Sequence, residues 1–277
     1  MSGQLSLDGM PTRLLRVTPA RLATWDDCRR RFRMTYVDRP TPPRGGPRAT
    51  STLGAVVHNA LRAVFALPAP RRTPARAAAL VDASWSGEGF RDDAQAAEYR
   101  ARARTWVADY VADADADGEV LGLERWVSAP VGSLVVEGRV DRVDARGDEA
   151  VVVDYKTGRG VPDGDDALRS PALALYAVVT AATVRRRCRR VELHHLPSGT
   201  IAGAEHDDAS LRAHRARAEA SAAAFTLAVE ALEAGGDPDA LFPPAPAPRC
   251  GRCDVRRHCP EGRAVAPPAE PWAGLAP

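Results

Sequence analysis

The sequence predicts an α/β protein, a central mixed sheet flanked by helices, with elements in the order helix, strand, strand, strand, helix, strand. Three observations carry that prediction. Val151 to Gly158 reads Val-Val-Val-Asp-Tyr-Lys-Thr-Gly, a β-branched run with a polar tip that marks a buried strand. Ser133 to Asp144 is a second stretch of strand formers, and Ala145, Arg146, Gly147 and Asp148 after it favour a turn, so the two stretches should form an antiparallel hairpin. On either side of this hairpin apolar residues recur at helical spacing.

A chain of 277 residues can bury a sizeable core. It reads as one domain over 17–260, with a loose tail over 1–16 and a disordered Pro- and Ala-rich tail over 261–277. The net charge of +2 does not announce a nucleic-acid partner, although arginines group around 29–33 and 185–190. No apolar run is long enough to span a bilayer, and the start lacks a cationic end followed by an apolar core, so a cytoplasmic protein is expected. Five cysteines in so long a chain do not suggest a disulfide framework, and their spacing is better read as ligand spacing.

Taken in order, Thr18 caps a helix with Pro19 in its first turn, and the stripe Leu22, Trp25, Cys28 and Phe32 runs on to Tyr36. A break from Pro40 to Pro47 precedes a helix over 52–67, whose buried face is Val56, Val57, Ala60, Leu61, Val64 and Phe65. His58 sits near the edge of that face, where a lone histidine is more often structural than a ligand. Alanine-rich helices follow over 73–87 and 92–115, and Glu119 to Val127 reads as a strand. Its Glu124 is either a surface charge or an acidic neighbour of the hairpin. Ser170 and Pro171 start another helix, which ends near Arg185 to Arg190. That basic run suits solvated surface at least as well as phosphate contact. A strand over 191–196 places His194 and His195 on opposite faces, and a long helix over 207–234 completes the core.

Chemistry concentrates at two places. Side chains two apart on a strand share a face, so Asp154 and Lys156 lie together, and Lys156 is the only lysine in the chain. Its compact ammonium suits proton transfer or water positioning in a way guanidinium does not. Asp141, on the other hairpin arm, should converge with Asp154 on a hard divalent cation. The second place is Cys250-x2-Cys253-x5-Cys259-Pro260, three thiols in a stretch too poor in apolar residues to fold by burial alone. Cys28 is the candidate fourth ligand. Zinc and an iron-sulfur cluster both accept four thiolates, and the spacing favours neither. Cys188 belongs to no cluster.

Gly54-x3-His58-x2-Leu61, Gly138-Arg139-Val140-Asp141-Arg142, Asp154-Tyr155-Lys156-Thr157-Gly158 and the four cysteines stand in an order that resembles the PD-(D/E)XK nuclease superfamily. Within it the closer likeness is to the RecB and AddB type of exonuclease domain, over most of the chain from Thr18 to Pro260. The resemblance implies a restriction-endonuclease-like core and a Mg²⁺ or Mn²⁺ ion held by Asp141 and Asp154. His58 and the Tyr155 carbonyl would be further ligands, Glu124 a weaker one, and Lys156 would orient or deprotonate the attacking water. It also implies a [4Fe-4S] cluster on Cys28, Cys250, Cys253 and Cys259, with Zn²⁺ as the alternative.

The implied activity is DNA exonuclease in repair or recombination, with single-stranded DNA favoured as substrate and arginine groups holding its backbone. The lone lysine follows Tyr155 and not glycine, so a phosphate-cradling loop is missing and any helicase would be a separate partner. One departure supports an alternative, a catalytically impaired DNA-binding module or an accessory subunit of a helicase-nuclease complex. Ala172 stands where the family usually carries a glutamine.

Overall fold

A computed structural model describes residues 14–113 and 118–276. Most of the expected N-terminal tail, and residues 114–115 of the helix expected over 92–115, lie outside the described residues. The strands are β1 (Leu15–Val17), β2 (Val120–Val131), β3 (Leu134–Arg146), β4 (Glu149–Lys156), β5 (Arg187–His195) and β6 (Thr200–Glu205). Between and around them run α1 (Pro19–Asp27), α2 (Arg29–Phe32), α3 (Ala49–Phe65), α4 (Pro74–Ala83), α5 (Asp93–Asp113), α6 (Gly164–Arg169), α7 (Pro171–Val184), α8 (Asp208–Glu233), α9 (Pro238–Leu241) and α10 (Pro260–Val265).

One six-stranded mixed sheet organises the fold, in the order β1, β3, β4, β5, β6, with β2 on the other edge of β3. The hairpin forms where expected: β3 and β4 pair antiparallel from Arg142 and Val153 down to Arg146 and Glu149, around Gly147 at φ +63°. β4 is buried on both faces, as its unbroken valine run implied. Ala150 and Val152 face a core shared with α1, α7 and α8, while Val151, Val153 and Tyr155 face a second core with α3, α4 and α5. Caps read from the sequence hold: Thr18 accepts from the Arg21 N–H, and Ser170 from that of Leu173, each followed by proline. Among the described residues no helix is long and apolar enough to cross a membrane.

Several expectations need correction. The helix expected through Cys28 is broken there, because Cys28 is extended (φ −162°, ψ 112°) and serves as the C-cap of α1 and the N-cap of α2. Leu15 and Arg16, placed in a loose tail, belong to β1, which pairs parallel with Leu134 to Val136. β5 begins at Arg187 and not at Val191, since its arginines find carboxylates within the sheet: Arg187 meets Glu149 on β4, and Arg190 meets Glu192 two residues on along β5. β6, Thr-Ile-Ala-Gly-Ala-Glu, was not anticipated, being poor in strand formers.

The expected disorder over 261–277 is also not what the described residues show. Leu275 and Ala276 are buried in the second core, Tyr99 Oη donates to the Ala276 carbonyl at 2.6 Å, and Leu275 forms a β-bridge with Gly158. Burial of an aliphatic side chain contributes about 1.5–3 kcal/mol, enough to order a short segment despite its prolines.

Candidate active site

The two arms of the hairpin part at one end. The β3–β4 ladder stops at Arg142 and Val153, and the next residues outward are Asp141 and Asp154. On the other edge of β3, Glu124 stands between the pairs Leu123–Arg142 and Arg125–Val140, opposite Asp141. Three carboxylates therefore lie in one row across three adjacent strands. The ladder is distorted where they meet. Glu124 has φ +44°, a left-handed conformation that is unfavourable for a residue with a Cβ and that concentrates at functional sites. In β3, Val140 and Val143 both face the first core while Arg142 turns to the rings of the second, so alternation slips by one residue around Asp141.

His58 reaches this row from α3. Gly54, one turn earlier, faces the end of β4, where a Cβ would stand at an ordinary contact distance, 3.6 Å, from Thr157 Oγ1. The His58 ring packs edge-on to Tyr155, and Nε2 lies 3.2 Å from the Tyr155 carbonyl oxygen. Nδ1 is 3.3 Å from Asp141 Oδ1 and 3.9 Å from Glu124 Oε1. Asp141 Oδ2 accepts the Tyr155 N–H at 3.0 Å, which ties the two strands together where their ladder has ended. Lys156 Nζ sits 2.6 Å from Asp154 Oδ2, on the face the two-residue spacing predicted.

The electrostatics show a surplus of negative charge. Burial holds the Asp154 carboxyl above its usual range and the Asp141 charge pushes it further, against the opposing pull of Lys156 and His58. Burial disfavours a charged His58, yet its bond to Asp141 and the charges of Asp141 and Asp154 prevail, so its pKa is raised. The Tyr176 hydroxyl is raised by burial and by the charges of Asp154 and Asp141, and it lines the same cavity as Asp141.

A divalent cation fits this donor set. His58, Glu124 and Asp141 offer ligand atoms within 4.8 Å of one another, oxygens and one imidazole of the kind hard cations accept.

Three contributors escaped the sequence reading. Arg139 Nε holds Glu124 Oε2 at 2.7 Å. Tyr176 packs on Gly138, where a Cβ would come within 2.7 Å of its ring and hydroxyl; a glycine inside a strand was the available signal for such an approach. Arg142, buried beneath the site, pairs with Asp144 at 2.8 Å and lies over the rings of Phe65, Tyr110 and Tyr155.

The expected backbone-holding arginines are engaged elsewhere. Arg30 and Arg31 pair with Asp239 and Asp254, and Arg187, Arg189 and Arg190 with Glu149, Asp208 and Glu192. Apart from Arg190–Glu192, two residues apart on β5, these ion pairs join separate segments, which a sequence pattern does not reveal.

At the other end of the chain, Cys28, Cys250, Cys253 and Cys259 line one small pocket, with Cys188 elsewhere in the first core. Backbone N–H groups of Ala247 and Gly262 donate to the Cys250 and Cys259 sulfurs at 3.4 and 3.3 Å. Burial raises the thiol pKa of Cys253 and Cys259. Four thiols with amide donors suit a thiolate-bound metal or cluster, whose positive charge would offset that burial.

A mixed sheet between helices, with an acidic row where a central hairpin opens, defines a restriction-endonuclease-like α/β protein. The chain belongs to the PD-(D/E)XK nuclease superfamily, whose family model matches residues 16–260. Among curated proteins none matches the chain.

Proposed function

We propose that this single domain is a divalent-metal-dependent deoxyribonuclease of the RecB and AddB type, an exonuclease acting on single-stranded DNA in repair or recombination. The observation that carries the reading is the juxtaposition of His58, Glu124 and Asp141 with the Asp154–Lys156 pair at one opened strand end. A bound Mg²⁺ or Mn²⁺ would lower the pKa of water and offset charge on the phosphate.

In this reading Asp141, Asp154, His58 and the Tyr155 carbonyl hold the ion, and Glu124 completes the acidic row. Lys156 Nζ, anchored by Asp154, orients the attacking water and takes or shares its proton. The Asp141 bond to the Tyr155 N–H keeps the donors of two strands in step. Any strand-separating motor belongs to a partner chain.

We read the cysteines as ligands of a [4Fe-4S] cluster, with zinc as the alternative: the four thiols line one pocket, and amide donors on two of the sulfurs suit thiolates of either. Ala172, in place of a glutamine, favours the second reading, a DNA-binding module impaired in catalysis; the retained Asp154–Lys156 pair argues against it.

The test is an end-labelled strand incubated with and without Mn²⁺. Wild type should degrade it only with the metal, and Asp154→Ala should not. Equal behaviour of the two proteins refutes the nuclease. A colourless, iron-free preparation with stoichiometric zinc removes the cluster and leaves the active site standing.

A further inference from the structure

Trp126 is the large aromatic that the fold leaves uncovered. It is 59% exposed, although its neighbours Val127 and Ala129 on β2 are buried in the first core. The other exposed large hydrophobics among the described residues are aliphatic, and none of them lines the cavity beside Glu124 and Asp141. Trp126 instead faces Arg139 directly across the β2–β3 ladder. Both line an open cavity of about 500 Å³ together with His58, Glu124, Asp141 and Tyr176. Two residues along β2 separate Trp126 from Glu124, about 7 Å of strand, which is the reach of one nucleotide.

We infer that Trp126 is a stacking platform for one unpaired base next to the scissile phosphate, with Arg139 beside it for the backbone. The inference rests on the nuclease reading and narrows its substrate. An indole face gains most from a flat π-system, and a base of any identity supplies one. A duplex hides its base faces in its own stack, so a lone indole on an open strand gains only from a base that is already free. Like most arginines of the 29–33 and 185–190 groups, Arg139 is paired with a carboxylate, but its partner Glu124 stands in the acidic row and its own side chain is 66% exposed beside Trp126. Aromatic and cation together, beside the acidic row, fit a single strand, whereas a duplex offers Arg139 its backbone but the indole no free base.

Binding is measured on an Asp154→Asn background, so that hydrolysis is blocked, with three probes: a short oligodeoxythymidylate, the same backbone made abasic, and a blunt duplex. The parent should bind the thymidylate more tightly than the abasic strand. Trp126→Ala should weaken thymidylate binding about tenfold while leaving the abasic strand unaffected, and Trp126→Phe should restore most of the loss. Trp126 is exposed, so the variants should melt with the parent, and a melt confirms that they are folded.

Equal binding of thymidylate by the parent and Trp126→Ala overturns the inference, as does a loss shared by the abasic strand. Mn²⁺-dependent cleavage by the otherwise wild-type protein is run alongside. Cleavage without a Trp126 effect leaves the nuclease and removes the platform. A Trp126 effect without cleavage keeps the platform and removes the nuclease.

Discussion

Cys28 and Cys250 are separated by about 220 residues, and a cross-link between them restrains nearly the whole unfolded chain. Loop-closure entropy for a ring of that size is worth about 5 kcal/mol at room temperature, a large part of the 5–15 kcal/mol that holds a typical domain folded. Cys28→Ser removes the one ligand of the proposed cluster that the N-terminal segment supplies. The native ends would stay together, because Arg30 Nε still donates to the Phe242 carbonyl, Arg31 still meets Asp254, Arg249 still meets Asp27, and Trp25 still packs on Phe242. The loss therefore falls on the freedom of the unfolded chain. Anaerobically purified wild type and variant, unfolded in urea and followed by circular dichroism, should differ by about 1–2 M in midpoint, and the variant should show the steeper slope because its unfolded state is more expanded. A variant with the midpoint and slope of a cluster-loaded wild type would refute the cross-link.

Asp154→Asn should abolish Mn²⁺-dependent cleavage yet raise the melting temperature in metal-free buffer, because burial and Asp141 disfavour the ionised carboxylate; calorimetry with a chelator checks this, and a lower melting temperature would contradict it. His58 and Asp154 both have pKa values raised on folding, so the stability each contributes is complete below its ordinary pKa and lost as pH rises through the raised one. A metal needs both deprotonated, so the gain in melting temperature on adding Mn²⁺ should grow between about pH 5.5 and 8; a gain independent of pH would sink the ligand assignment. Glu192 is buried but held down to about 2 by His194, Arg190 and Arg146, so its contribution, about 3 kcal/mol at 1.36 kcal/mol per unit, is present above its usual value near 4.5 and lost as pH falls towards 2. Glu192→Gln should destabilise the protein at neutral pH and converge with wild type in acid, as read by denaturation at a series of pH values.

The sequence made the central hairpin legible because its cues are local. A valine run, a turn around Gly147 and a period of two were enough to put Asp154 and Lys156 on one face and Asp141 across from them. His58 was ambiguous by itself, since what brings it to the carboxylate row is the contact of α3 with the end of β4, a tertiary event. Glu124 and Tyr176 illustrate the same limit, one depending on a left-handed backbone and the other on the space above Gly138. The break at Cys28 replaces a helical hydrogen-bond pattern that the surrounding apolar spacing supports, and what turns the thiol towards Cys250 and Cys259 lies over two hundred residues away. Short strands such as β1 exist only because β3 offers them an edge.

That edge also explains why the site is open at all. β2 covers one side of β3 along almost its whole length, but on the other side β1 pairs only with Leu134 to Val136 and β4 only from Arg142 onward. The gap from Glu137 to Asp141 has no strand against it; Tyr176 fills part of it over Gly138, and the Asp141 carboxylate, not a backbone carbonyl, receives the Tyr155 N–H. A donor row set by sheet register is rigid and also fragile in one specific way. Because side chains alternate, a slip of one residue between β3 and β4 would send Asp154 to the face opposite Asp141 and disperse the row. The left-handed Gly147 in the turn and the burial of alternate β4 residues in two different cores are what prevent that slip, so residues remote from the substrate hold the geometry on which hydrolysis depends.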